Sequence, residues 1–433
     1  MKGITMIQTS KVTRLNYLDH MRGLVISFVL LQHSVQGYAE MWGGRVWFIQ
    51  LDNRSRVFDV MFMWTDGFIM QAMFFLAGIF VLPSLYRRGW LSFTKEKLVR
   101  LGIPLIFGVL VLVPPLQYLR YEEFQEPGIG YMDYWFNVYL TPEGLSAAGF
   151  WFLAFLLLFT FVTAFIDRFL PFITNSLGRM TSWLASRPVI GYCIVGAIVA
   201  ALIGYSDIRW GTQGWMGLRN FFTPNDETWF MSFIDLFVGR SNMLFSYIFF
   251  FTLGVGVSKS NILSGNELMD KASEKWLTWL FLTIGLSILY SWYNQTYLYT
   301  GAFSDDIRMY LRKGGTMSNA WPLIKDIAPG LLIRTTIHGF LCTAQIFTIM
   351  TLLYRFTNKP SDRGFSKWES LGACSYGMFV IHEPIAVWSQ HILASTSLST
   401  AFKMMVVFAI DLSVSWAFTA YVLRKAPLTR RIF

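Results

Sequence analysis

Arg22 and His33 bracket the stretch RGLVISFVLLQH, which is apolar apart from Ser27 and Gln32. Eleven residues at about 1.5 Å each separate them by roughly 17 Å along a helix. Eleven steps of about 100° make three turns plus roughly 20°, so both side chains lie on one helix face. Asp19, three residues before Arg22, falls on nearly the same face and can hold its guanidinium. A guanidinium at a helix end binds anions, and an imidazole deeper in can take a proton from a hydroxyl. The pair reads as a polar track running inward from one end of an apolar helix. The plainer alternative for His33 is a core histidine bonded to a neighbouring helix.

Other ionisable residues sit in equally apolar surroundings. Arg334 and His338 are spaced i,i+4 on one helical face. The stretch SYGMFVIHEP carries Ser375, His382 and Glu383 just ahead of Pro384, which should kink a helix, and Asp411 lies in a further apolar run. Three His, one Glu and one Asp at similar depth predict a single buried polar centre, in which an imidazole acts as general base with a carboxylate orienting it. No HExxH or comparable spacing is present, so no metal is expected. Lys97 and Arg100 are i,i+3 neighbours that can dock phosphates or anchor the chain at a membrane face. No glycine-rich phosphate loop accompanies them.

The elements that must position these residues follow from composition. The 433 residues are 54% hydrophobic and only 14% charged, with a mean hydropathy of +0.44. Soluble domains average about 25% charged residues. So few charges cannot cover a water-facing surface, and the reading is an all-α polytopic membrane protein. Runs of spanning length fall at about 22–40, 65–84, 99–117, 148–167, 189–205, 241–257, 276–293, 331–354, 371–391 and 403–423, about ten transmembrane helices. The segments 1–21 and 424–433 read as a cytoplasmic N-terminal segment and a basic cytoplasmic tail around a membrane domain at 22–423. With the N-terminus inside, most Lys and Arg fall on the cytoplasmic side, giving an N-in/C-in plan. The net charge of +10 therefore reflects topology, and nucleic acid is not an expected partner. Cys193, Cys342 and Cys374 are far apart and predict free thiols. No cleavable signal peptide is visible.

The outer segments near 41–64, 118–147, 206–240 and 294–330 are long and aromatic. They include RWGTQGWMGLRNFF (Arg209–Phe222) and YEEFQEPGIGYMDYW (Tyr121–Trp135). Trp and Tyr beside Asp and Glu suit a carbohydrate; interfacial anchoring and loop packing explain the same residues more simply.

Six stretches in order resemble the acyltransferase-3 family of integral-membrane acyltransferases. YLDHMRGLVISFVLLQHS (Tyr17–Ser34) is similar to its opening helix, FFLAGIF (Phe74–Phe80) to a Phe-Phe-x-x-Gly element, and KEKLVRLGIP (Lys95–Pro104) to a basic pair often written Arg-x-x-Arg. GFWFLAFLLLF (Gly149–Phe159), SYGMFVIHEPI (Ser375–Ile385) and LRKAPLTRRIF (Leu423–Phe433) resemble later elements. Lys97 stands where the first Arg is common and offers a point charge in place of a planar fork. The resemblance implies transfer of an acyl group, commonly acetyl, from cytoplasmic acyl-CoA to a hydroxyl of an envelope glycan or related acceptor. It also implies placement in a bacterial inner membrane. It casts His33 as the essential histidine with Arg22 as its partner, and Lys97 and Arg100, with Arg22, as holders of the CoA phosphates. His382 and Glu383 would sit toward the acceptor side and complete the catalytic set. Two alternatives explain ionisable groups in helices as well: a proton-coupled transporter or exporter, and an acyltransferase whose acceptor is cytoplasmic or a lipid.

Overall fold

The computed structural model describes residues 16–40, 47–49, 51, 54–141, 144–210, 215–217, 238–240, 243–260, 262, 267–299, 325, 328–357 and 367–433. The N-terminal cations Lys2, Lys11 and Arg14, most of Arg209–Phe222 and of 294–330, and Lys359 and Arg363 lie outside these residues. The chain forms helices α1 (Asn16–Gln36), α2 (Arg56–Asp66), α3 (Ile69–Arg88), α4 (Trp90–Glu123), α5 (Trp151–Phe169), α6 (Pro171–Ala185) and α7 (Pro188–Trp210). It continues through α8 (Leu244–Lys259), α9 (Glu267–Glu274), α10 (Trp276–Tyr299), α11 (Ala328–Thr357), α12 (Lys367–Ala394) and α13 (Thr400–Phe418). The only regular sheet among the described residues is a short antiparallel pairing of Trp215–Gly217 with Val238–Arg240.

Among the described residues, seven runs are long and apolar enough to cross a membrane: Arg56–Arg88, Trp90–Glu123, Ala148–Phe169, Pro188–Asp207, Trp276–Thr296, Ala328–Thr357 and Thr400–Leu423. Three of the ten expected runs fall short by that measure. α8 has only 16 residues. α1 and α12 have the length, but their His, Gln, Asp, Arg and Glu side chains dilute their hydropathy. The two helices that are long enough but too polar by that measure are thus the two that carry the candidate chemistry. The outward faces of the bundle are apolar: Phe281, Ile288, Leu332 and Ile392 are each about two-thirds exposed. Such side chains need a hydrocarbon solvent.

Without a hydrophobic drive between helices in lipid, close approach depends on small residues. A Cβ on Gly23 of α1 would lie 2.9 Å from the Gly372 nitrogen of α12. Gly78 of α3 and Gly254 of α8 allow a second such crossing, each facing the other helix's backbone. α1 is central and packs against α12, α11, α2, α13 and α3. α4 continues helically through Pro104, with π-type turns at Leu98–Gly102 and Gly108–Leu112. A proline interrupts the i→i−4 ladder, and a wide turn accommodates the break. α12 likewise runs on through Pro384, which lacks the N–H for one helical bond just past Glu383.

Candidate active site

The end of α1 presents His33, and the middle of α12 presents His382, with ring centroids 4.9 Å apart. His382 Nδ1 lies 2.7 Å from the Phe379 carbonyl oxygen, and its Nε2 lies 3.2 Å from His33 Nδ1. A carbonyl only accepts, so His382 carries its proton on Nδ1. With both rings neutral, His382 Nε2 accepts from His33 Nδ1–H. The proton of His33 is then on Nδ1, and its Nε2 keeps a lone pair. His382 is buried, whereas His33 is partly exposed. The accessible ring is therefore the one whose tautomer leaves a basic nitrogen.

Helix-end chemistry holds His33 in place. The last four carbonyls of α1 have no intrahelical partner. Gln390 of α12 donates to two of them, His33 O at 3.0 Å and Ser34 O at 3.1 Å. Turn N–H groups of Tyr38 and Ala39 serve Val35 and Gln36. Gln390 Oε1 in turn accepts from the Trp47 indole at 2.6 Å, and Trp47 sets its ring edge-on to His33 at 5.2 Å. Arg120 donates to the Trp47 carbonyl. Replacing Gln390 by Leu is expected to orphan both carbonyls and lower stability by roughly 1–3 kcal/mol, read as a drop in the melting temperature of the protein in nanodiscs.

Glu383, the next residue on α12, is turned about 100° from His382. Its Oε2 accepts from the Gly149 N–H at 3.3 Å, at the start of the GFWFLAF segment. A Cβ at Gly149 would fall 2.8 Å from that oxygen. Glu383 thus faces the segment that leads into α5, and the Phe379 carbonyl orients His382.

At the other end of the track, Arg22 donates to Asp19 at 3.0 Å, to Ser375 Oγ at 3.1 Å and to the Gly372 carbonyl at 3.3 Å. The Gly23–Gly372 crossing makes these reaches possible. Tyr376, beside Ser375, donates to the Arg100 carbonyl, so one turn of α12 joins Arg22 to Arg100. Arg100 also meets Glu96 at 3.4 Å and donates to the Ile432 carbonyl at 3.1 Å. Glu96 pairs with Arg88 too. Lys97 lies 5.4 Å from the centre of the Phe93 ring. Arg22, Lys97 and Arg100 therefore share the rim at the basic end of α1, α4 and α12.

The single polar centre expected from the sequence divides. His338 bonds Gly67 O at 3.2 Å and the Tyr290 hydroxyl at 3.4 Å. Arg334 pairs with Asp207 at 2.6 Å and donates to Asn294 at 2.9 Å. This second cluster ties α7, α10 and α11 together with every member buried. Asp411 is buried on α13, and neither of its oxygens has a hydrogen-bond partner among the described residues. Spacing does not separate these groups, because depth along a helix says nothing about which neighbour a side chain faces. No group of three or more His, Cys, Asp or Glu able to hold a metal occurs among the described residues.

The aromatic stretch 121–135 packs largely on itself. Tyr118 meets Tyr131 edge-on, Tyr131 stacks on Trp135, and Tyr134 and Tyr139 are buried. Sequence reasoning missed Gln390, Trp47 and Gly149. Nothing in their spacing links them to His33 or Glu383, since each contact joins segments more than 200 residues apart or lies across a loop.

An acyltransferase-3 family model, described as an acyltransferase domain, matches residues 15–422. No curated protein and no solved structure matches the chain.

Proposed function

The chain belongs to this acyltransferase family, and from that premise we propose that it moves an acetyl group from cytoplasmic acetyl-CoA to a hydroxyl of an envelope glycan or related acceptor, with His33 as general base. It is a membrane acyltransferase by family and by its apolar helices. The observation that carries the proposal is the order of hydrogen bonds Phe379 O, His382, His33, which leaves Nε2 of the partly exposed ring free to take a proton.

In the reaction, His33 Nε2 accepts the proton of the acceptor hydroxyl as its oxygen attacks the thioester carbonyl. The C–S bond breaks, and the CoA thiolate leaves and takes up the proton. Ester and free thiol are the products, and the imidazole returns to its starting tautomer. The donor is anionic at its nucleotide end and thin at its pantetheine end. Arg22, Lys97 and Arg100 at the rim suit its phosphates, and the roughly 17 Å from Arg22 to His33 suits the extended arm. Part-buried charge-assisted contacts, Arg22 with Asp19 above all, hold the guanidinium before donor arrives, so less ordering is left to binding.

The test is purified protein in nanodiscs with radiolabelled acetyl-CoA, followed by thioester loss and label transfer to hydroxyl acceptors. Turnover that needs both the donor and a hydroxyl supports the reading. Failure to bind or turn over acetyl-, succinyl- and longer acyl-CoA, with solute flux that needs no donor, would replace it by transport. Modified product on the cytoplasmic side, or on lipid, would move the acceptor. Lys97→Ala and Arg100→Ala are each expected to raise the KM for acyl-CoA, with kcat nearly unchanged. A lost charge-assisted contact of about 1–3 kcal/mol corresponds to roughly 5- to 150-fold.

A further inference from the structure

Away from the histidine pair, a cavity of about 160 Å³ lies among α3, α6, α7, α8 and α11, with Tyr17 of α1 in its wall. Its lining is almost wholly apolar and includes Phe75, Leu184, Val195, Phe250, Ile346 and Met350. Water in a cavity needs polar partners, and these walls supply almost none. Inside a membrane, hydrocarbon is the solvent at hand.

The surroundings of this cavity point to an amphiphile. At the basic end of the bundle its wall reaches Ala185 and Pro188 in the connection between α6 and α7. Arg187 sits between them, exposed, with its guanidinium 4.9 Å above the Trp183 ring. α6 is too short to span a membrane. Its outer face exposes Phe172, Met180 and Trp183 beside Arg179, while Thr174, Gly178, Thr181 and Leu184 face the bundle. Apolar side chains and cations on one exposed face are the signature of a helix lying in the headgroup region. Of the nearby acids, Asp270 is engaged by the Tyr354 hydroxyl at 2.6 Å, and Glu274 has Lys271 and Lys275 near it in sequence.

We infer that the cavity holds one acyl chain of an anionic membrane phospholipid whose phosphate rests on Arg187. Arg179 extends the cationic surface along α6. The site is separate from the histidine pair, yet Tyr17 is only five residues before Arg22 on the same helix. Lipid in the cavity therefore buttresses the start of the Arg22–His33 track. This inference rests on the membrane fold and not on the acyl-transfer reading.

The experiment uses the full chain in detergent with phosphatidylglycerol bearing a diazirine in one acyl chain. Irradiation and mass spectrometry locate the label. The expected result is saturable labelling of α7 and α11 near Val195, Ile346 and Met350, competed by unlabelled phosphatidylglycerol. Arg187→Gln should raise the half-saturating lipid concentration about fivefold. Thr343→Phe, which fills the cavity from α11, should abolish labelling there. Ala185→Phe, at the mouth, provides a second block should the first variant not fold. Label confined to outward residues such as Phe281 and Ile288, or unchanged in both filled variants, would overturn the inference. Equal affinity for phosphatidylcholine with no effect of Arg187→Gln would overturn the headgroup assignment. Labelling by a long-chain acyl-CoA probe but not by phosphatidylglycerol would assign the cavity to a donor chain instead.

Discussion

His33→Ala is expected to lower acyl transfer by about 10²–10⁴-fold, the usual contribution of a positioned general base. The loss should fall on kcat, because the base acts on the acceptor hydroxyl in the transition state and not on donor affinity. His33 is partly exposed, and its side chain makes one ring–ring hydrogen bond, so the variant should fold; an unchanged melting curve establishes that. Single-turnover assays with saturating acetyl-CoA read the effect directly. A folded His33→Ala protein with wild-type turnover would remove His33 from the chemistry and leave it as a packing residue. Arg22→Ala should also impair transfer, but through KM first, since Arg22 lies at the far end of the track.

The second large effect concerns a residue that need not touch substrate. His382→Phe removes the acceptor for His33 Nδ1–H. The His33 proton is then free to sit on Nε2, which closes off the basic nitrogen. Holding an imidazole in the wrong tautomer is costly in acid–base catalysis, and a fall in kcat on the order of 10²-fold is expected with KM for acyl-CoA unchanged. His382→Gln reaches about as far with its Oε1, which accepts as Nε2 does, and should recover part of the rate. A role confined to packing predicts the reverse order, because the apolar, ring-shaped Phe fills the buried space better than Gln. Rates and melting curves of the two variants side by side decide between positioning and packing.

Much of this was legible from residue types and spacing. Composition alone required lipid around the chain, and the apolar runs place its long helices. The face shared by Arg22 and His33 follows from helical periodicity, and Asp19 holds Arg22 as the i,i+3 spacing predicts. Other expectations changed for definite reasons. Helix depth groups His338 and Asp411 with His33, but His338 bonds Gly67 and Tyr290, and the Asp411 oxygens have no hydrogen-bond partner among the described residues. The sequence leaves open which carboxylate, if any, lies beside an imidazole, and Glu383 bonds the Gly149 N–H. One residue along a helix is a turn of about 100°, so a carboxylate next to His382 in sequence points to a different neighbour.

The sequence by itself determined the solvent of this protein, the positions of its long apolar helices and the polar track on its first one. These are local properties, set by side-chain hydropathy and the 3.6-residue repeat. Only the tertiary structure decided that α12 meets α1 at two glycines, and so which histidine faces His33. It alone decided that Phe379 and Gln390 fix the ring's proton and its place. The bonds of His33 to His382 and Gln390 join residues some 350 positions apart. No periodicity reaches across that span, and the pairing follows from how the helices pack.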